Sequence, residues 1–425
     1  MLGALRRILL PAKPSAIVII GALLTGILLG ALAGRIAPDT ANMSVGYVEP
    51  IGGLWLAGLQ MTVIPLLVAL LITGINAAST AAKAGQLATR AVVTFVTLLA
   101  VSATLGALLM PLILGAFPTP ESAVAAFRTA AGGEASETAV PTFAEFVATL
   151  LPSNVISAAA EGQILKIVAF TTIFAFAISR LSDEARAPLT IFFRALGEAM
   201  LVVINWILAL APIGVFALGY AVAVKTGLAA LGGLAHYVIA VSSIGIILLL
   251  LAYGFAAIFA RLNFATYARA VIPPQAVAIS TQSSLASLPA MLKASEAVGV
   301  PADRADVILP IAVALFRFTG PAMNIAVAIY VGHIFGLELS PATLAVGVGV
   351  ATMTSLASVS LPGSISFITS VSPIAVAMGV PVAPLAILVA VEQIPDIFRT
   401  LGNVTMDVAV TAAIDKSVPS ERQTP

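Results

Sequence analysis

The chain contains no cysteine, which excludes disulfides, iron–sulfur ligation and thiolate chemistry. Histidine is almost as scarce: His236 and His333 are the only two, too few for a His-rich metal site. Charge is the third scarcity. Only 9% of the 425 residues are Asp, Glu, Lys or Arg, against roughly 25% in a soluble domain, so the surface of a water-soluble protein of this size cannot be covered. The net charge of +1, with no basic run beyond Arg6-Arg7, gives no footprint for nucleic acid. Also missing are a Gly-Lys-Ser/Thr phosphate loop, a His-Glu-x-x-His helix and a Gly-x-Ser-x-Gly elbow, so ATP-driven pumping and the common hydrolase devices have no support. An intramembrane hydrolase built on Ser283, Ser284 and Lys293 has no base at a persuasive spacing, and the chain reads as a non-enzyme.

What is abundant is apolar. Hydrophobic residues make up 60% of the chain, and the mean hydropathy is +1.10. A spanning helix needs about 20 apolar residues, so the chain reads as an all-α polytopic membrane protein, with the lipid bilayer as its solvent. Arg6, Arg7 and Lys13 precede an apolar run from Pro14 to Ala33. Ala31-Leu32-Ala33 imitates a signal cleavage site, but the run is too long for a signal core and reads as the first spanning helix. Further apolar stretches lie at about 50–75, 91–116, 143–179, 188–222 and 228–260. Lys/Arg residues recur in every second connection (Lys83 and Arg90; Arg180, Arg186 and Arg194; Arg261 and Arg269), which predicts cytoplasmic N- and C-termini. The stretch Phe117 to Thr142 then forms an outside insertion.

Two later segments, about 264–298 and 341–378, are apolar but broken at mid-length. The first carries Ser280-Thr281-Gln282-Ser283-Ser284-Leu285-Ala286-Ser287-Leu288-Pro289 and the second Ser358-Val359-Ser360-Leu361-Pro362-Gly363-Ser364-Ile365-Ser366. Each precedes an apolar stretch that contains charges, 303–333 and 380–412. Irregular backbone survives at membrane depth only when buried in protein or lining a wet cavity. Matched interruptions in two halves of a chain point to a transporter binding site at an inverted-repeat interface. The alternative is a pair of Pro-kinked helices with Ser bonded to its own backbone.

The last apolar stretch carries Glu392, Asp396, Arg399, Asn403 and Asp407 at steps of four, three, four and four, so all five share one helical face. A charge at the bilayer centre costs about 2.5 to 3.5 kcal/mol on insertion scales, so this stripe faces protein, water or a ligand. An internal Asp396–Arg399 pair is one reading. The other is a binding site for a small zwitterionic acid, because a guanidinium grips a carboxylate bidentately and an adjacent Asp holds an ammonium. A channel would need polar lining along a whole pore, whereas these residues gather in one mid-membrane cluster.

With Leu59-Gln60-Met61-Thr62-Val63-Ile64-Pro65, Pro152-Ser153-Asn154, Glu161-Gly162-Gln163-Ile164-Leu165, Ala211-Pro212-Ile213-Gly214-Val215-Phe216-Ala217-Leu218, the Ser-rich first hairpin, Leu361-Pro362-Gly363 and Asp396 through Asp407, nearly the whole chain resembles the glutamate/dicarboxylate:cation symporters. That family includes archaeal aspartate transporters and excitatory amino-acid transporters. The resemblance implies a homotrimer of protomers with eight transmembrane helices, two re-entrant hairpins and inverted repeats, working as an elevator. Residues 1–260 would form mainly the scaffold, with the third and sixth helices moving with the transport part. Residues 261–412 would form the transport core and 413–425 a cytoplasmic tail. By position, Arg399 would hold a substrate side-chain carboxylate, Asp396 its amino group and Asn403 its main-chain carboxylate. Thr400 would support these contacts, and Ser284 with Pro362 and Gly363 would close over the ligand. The implied function is secondary transport of acidic amino acids, in a cytoplasmic membrane, with C4-dicarboxylate transport or uncoupled carriage as alternatives. A member that has lost transport and acts as a sensor fits the same residues.

The departures from the family concern the coupling ion. Where relatives carry an Asn-Met-Asp-Gly-Thr stretch this chain has Phe316-Arg317-Phe318-Thr319-Gly320, and Phe95, Leu98 and Leu99 stand where a Tyr and a Thr-Ser pair contribute to a further sodium site. Phenyl and isobutyl groups offer sodium no oxygen. Asn403 and Asp407 remain as candidate Na⁺ ligands. Arg317 is either a structural partner of Asp407 or Glu392, or a fixed cation standing in for sodium. The coupling ion is then Na⁺ or H⁺, with no other cofactor, and Glu392 and Asp396 are the candidate proton carriers. His236 reads as a packing residue.

Overall fold

A computed structural model of the chain describes residues 16–83, 86–121, 124–125, 128, 152–161, 164–357 and 363–417. Among these residues every regular element is a helix. In chain order they are α1 (Ala16–Ile36), α2 (Pro38–Gln60), α3 (Val63–Lys83), α4 (Gln86–Ala116), α5 (Val155–Ala160), α6 (Ile164–Ser179), α7 (Asp183–Ala209), α8 (Ala211–Thr226) and α9 (Ala229–Ile258). Then come α10 (Phe264–Thr281), α11 (Ser284–Ala297), α12 (Ala302–Leu315), α13 (Thr319–Ile334), α14 (Pro341–Ala357), α15 (Gly363–Ala377), α16 (Leu385–Leu388) and α17 (Gln393–Ser417). Five helical stretches among the described residues are long and apolar enough to cross a membrane.

From residue 16 on, the expected first span is α1, and the first broken segment is the pair α10–α11. The second broken segment ends in α14 and α15, and its Leu361-Pro362 lies outside the described residues, as does most of the 117–142 insertion. Expected single stretches also divide: 303–333 into α12 and α13, and 380–412 into α16 and α17. The 50–75 run spans α2 and α3, which meet at Met61-Thr62, because Pro65 in the first turn of α3 has no N–H to donate to Met61 and its ring crowds that carbonyl. The 188–222 run spans α7 and α8, which meet at Leu210, with Pro212 opening α8.

Small residues set the closest helix contacts. Gly26, Gly30 and Gly34 recur every fourth position in α1, and a β-carbon at each would run into the backbone carbonyl of Phe216, Tyr220 or Val224 in α8. Lipid supplies no hydrophobic drive between helices, so close backbone approach of this kind provides the packing. Gly30→Val is expected to destabilise the α1–α8 pair by about 1–3 kcal/mol, read as a lower midpoint in thermal unfolding of the detergent-solubilised protein.

Helices α12 and α13 form the centre. The 302–334 stretch is 83% buried over its most apolar window, against 39% or less in the other candidate spans. Around it pack α4, α9, α14, α15 and α17, while α1, α2, α7 and α8 associate mainly with one another and with α3. The polar face of α17 therefore meets protein on every side.

Candidate functional site

α17 begins with Pro395 and Asp396 in its first turn, a proline where an intrahelical N–H is not needed and a carboxylate at the positive end of the helix dipole. Its polar stripe is closed off from lipid. Glu392, Asp396, Arg399, Thr400, Asn403 and Asp407 are all buried.

The upper part of the stripe is organised around Arg399. Nη1 of Arg399 donates to Asp396 Oδ1 at 2.7 Å, and Nη2 donates to Glu392 Oε1 at 2.5 Å. Glu392 lies in the turn between α16 and α17, and its second oxygen accepts a 2.6 Å hydrogen bond from the hydroxyl of Tyr237 in α9. Tyr237 is itself buried and meets Tyr330 of α13 edge-on at 5.3 Å. Nε of Arg399 has no hydrogen-bond partner among the described residues, so the guanidinium keeps unspent donor capacity. The expected Asp396–Arg399 pair is present, joined by a second carboxylate.

One turn further, Asn403 Oδ1 accepts from the backbone N–H of Thr319 at 2.9 Å and lies 2.8 Å from the Thr319 hydroxyl. That hydroxyl also lies 2.7 Å from the Arg399 carbonyl, so a single proton is shared between two acceptors. Thr319 opens α13, where the first N–H groups of a helix have no intrahelical partner, and Asn403 satisfies one of them. A β-carbon on Gly402 would collide with the Thr319 methyl, which is why α17 can come this close.

Between α12 and α13 the chain leaves helical geometry: Phe316 is extended, with φ −110° and ψ 103°. Phe316 stacks on Phe95 of α4 at 4.7 Å and 15°, Leu99 is fully buried, and the Phe318 carbonyl accepts from the Ser102 hydroxyl of α4. The positions expected to lack sodium ligands thus form one apolar and aromatic contact across α4 and the α12–α13 break. Arg317 sits in that break and interacts electrostatically with Asp396, Asp407 and Arg399. Asp407 is fully buried, and neither carboxylate oxygen has a hydrogen-bond partner among the described residues. At 320 a β-carbon would lie 3.7 Å from the Ser355 hydroxyl of α14, which is buried without a partner among the described residues.

The tip of α10–α11 turns at Gln282, whose left-handed conformation (φ 49°) reverses the chain, and at Ser283, whose hydroxyl caps α11 by accepting from Ala286 N–H at 3.3 Å. Gln282 Nε2 reaches the Gln393 carbonyl at 3.2 Å, tying the tip to the start of α17. Ser284 follows, buried in the first turn of α11, which packs against α17. Thr400 bonds back to the Asp396 carbonyl at 2.9 Å. Gly363 opens α15; Pro362 lies outside the described residues. His236 is a packing residue: its ring stacks on Phe117 and its two nitrogens lie 3.1 Å from the Tyr330 hydroxyl and 3.0 Å from the Phe117 carbonyl.

Tyr237, Ser102 and Ser355 were not marked by the sequence, and Thr319 only as part of the altered 316–320 stretch. Each is a small or aromatic residue inside an apolar run, and only the packing of other helices shows what it touches. Among the described residues no group of three His, Cys, Asp or Glu is placed to hold a metal ion.

Residues 16–417 match the model of the sodium:dicarboxylate symporter family. The chain is 27% identical to the proton/sodium-glutamate symport protein of Bacillus subtilis (strain 168), covering 92% of this chain and 90% of that one. It is 26% identical to the proton/glutamate-aspartate symporter of Escherichia coli (strain K12), covering 94% and 91%. It is 25% identical to the C4-dicarboxylate transport protein of Laribacter hongkongensis (strain HLHK9), covering 92% and 88%. With an all-helical polytopic fold and a buried charged cluster enclosed by broken helices, the chain belongs to the sodium:dicarboxylate symporter family, as a membrane transporter and not an enzyme.

Proposed function

We propose that the protein is a secondary transporter of acidic amino acids, with Arg399 as the carboxylate grip and Asp396 as the counter-charge for the substrate ammonium. The observation that carries this is the buried pairing of one guanidinium with two carboxylates at the start of α17. A carboxylate entering beside Arg399 competes for donors of the right planar geometry. Asn403 would take the main-chain carboxylate, Thr400 and Ser284 would support it, and the tip at Pro362-Gly363 would close over it. Asp396 favours an amino acid over a plain dicarboxylate, because a dicarboxylate has no positive group to offer it. The relatives are named for glutamate, aspartate or C4-dicarboxylates, all of which present a carboxylate to such a grip.

Movement would follow an elevator scheme in a homotrimer, in a cytoplasmic membrane with both termini cytoplasmic. The partition into scaffold and transport core is supported by α4 and α9, the third and sixth apolar stretches, packing against α13 and α17. Coupling to sodium would be weak, with Asn403 and Asp407 as the residual oxygen donors: Asn403 Oδ1 already accepts from Thr319, Arg317 supplies positive charge to Asp407, and Phe95, Leu99 and Phe316 crowd the neighbouring break. The proton is then the coupling ion.

Counterflow in proteoliposomes tests the reading. Aspartate and glutamate are expected to exchange at least about tenfold better than succinate, the effect of one unmatched buried charge being a kcal/mol or more. Succinate exchange at the aspartate rate would favour the dicarboxylate alternative, and single-channel currents without saturable exchange would overturn transport by a carrier.

A further inference from the structure

The guanidinium that would grip the substrate is already engaged. Glu392 Oε1 occupies Nη2 of Arg399 at 2.5 Å, and the carboxylate is held in place from a different helix by the Tyr237 hydroxyl at 2.6 Å. Glu392 therefore presents to Arg399 the same group that an acidic substrate would present, a carboxylate. It lies in the turn between α16 and α17, where the backbone is not locked by a continuous helical ladder.

The charge count of the cluster gives this contact a direction. Glu392, Asp396 and Asp407 face Arg317 and Arg399, three carboxylates against two guanidiniums, so the fully ionised core is negative by one. An acidic amino acid brings a further net negative charge into a site shielded from water, where uncompensated charge is costly. One proton taken up by the core at the same time leaves the total unchanged. The groups facing Glu392 are Tyr237 of α9 and Arg399 and Asp396 of α17. Tyr330 of α13 stands behind Tyr237, and Arg317 in the α12–α13 break acts on Asp396 and Asp407. Asp396 sits on the helix itself, three residues from Arg399, and is the group assigned to the substrate ammonium. Glu392 is the carboxylate whose release from Arg399 vacates a substrate position.

We propose that Glu392, positioned by Tyr237, is a proton-carrying lock on Arg399: ionised, it fills the carboxylate position of the site, and protonated, it yields that position to the acidic substrate, so that each substrate crosses with one proton. The proton comes from the aqueous side that the site faces, adds to a Glu392 carboxylate oxygen as the Nη2 contact breaks, and leaves to the opposite side when the substrate departs and the contact reforms. This deepens the transport reading above and rests on it.

The test measures aspartate binding and proton-coupled uptake by the full-length protein in proteoliposomes across pH 6 to 9. In the wild type, apparent affinity is expected to fall about tenfold per pH unit on the alkaline limb, the signature of one linked proton. Glu392→Gln, a permanent mimic of the protonated acid, is expected to vary less than about twofold over the same range and to lose accumulation driven by a proton gradient. Tyr237→Phe is expected to keep the slope but displace its midpoint, which a purely structural role for the hydroxyl would leave in place. A wild-type slope retained in Glu392→Gln, or a slope abolished by Asp396→Asn instead, overturns this inference alone. If Glu392→Gln does not assemble, an unmoved midpoint in Tyr237→Phe overturns it. Absence of aspartate binding by the wild-type protein overturns the transport reading and this inference with it.

Discussion

Replacing Arg399 with Ala is expected to abolish uptake of acidic substrates. The side chain donates to two buried carboxylates, and truncating one member of a buried hydrogen-bonded charge pair costs about 2–5 kcal/mol, roughly thirty- to several-thousand-fold in affinity. The same change leaves Glu392 and Asp396 buried without their shared cation, so lost activity has to be separated from lost fold. Arg399→Lys does this. It keeps the charge near both carboxylates but lacks the planar fork that matches a substrate carboxylate. The Lys variant is expected to elute from size exclusion as the wild type does, while aspartate exchange falls by about tenfold or more. Undiminished aspartate uptake in the Ala variant would refute the role given to Arg399.

Sodium should matter little. In the intact protein, aspartate affinity is expected to change by less than about twofold between sodium-free and sodium-rich medium, because a tethered guanidinium cannot be diluted away and is screened weakly when buried. Arg317→Gln is expected to lower affinity and stability together, because it leaves the buried Asp407 carboxylate without the positive charge that acts on it. Asp407 is fully buried with no hydrogen-bond donor on either oxygen, so Arg317 is its main electrostatic support. The double variant Arg317→Gln/Asp407→Asn removes both charges and is expected to recover most of the lost thermal stability, a coupling that a double-mutant cycle reads directly. Strong sodium dependence in the wild type would sink the surrogate role, as would additive losses in the cycle.

Hydropathy and proline placement made much of the fold legible. The N-terminal span and the two interrupted segments lie within a few residues of their expected bounds, whereas the charged stretches that follow are divided, 303–333 into α12 and α13 and 380–412 into α16 and an α17 that runs on to Ser417. The places where helices divide were less so. Pro65 and Pro212 look the same in sequence as Pro111, which α4 accommodates, since a proline kinks or breaks a helix according to what surrounds it.

The candidate site divides in the same way. The period of the charges from Glu392 to Asp407 put them on one face, and the cost of charge in lipid meant that the face is enclosed. Both follow from the chain because helical spacing and desolvation are local properties. Which carboxylate meets which cation is a different matter. Arg399 could have paired with Asp396 alone, and Glu392 owes its place to Tyr237, 155 residues away on α9. Likewise Asn403 caps α13 through Thr319, and Phe95 fills the break beside Phe316. The sequence by itself determined that this is a membrane protein with a scarce, clustered set of buried charges. The tertiary structure decided how those charges are paired, because hydrogen bonds and ion pairs act over a few ångströms and only the packing of distant helices brings their partners within that range.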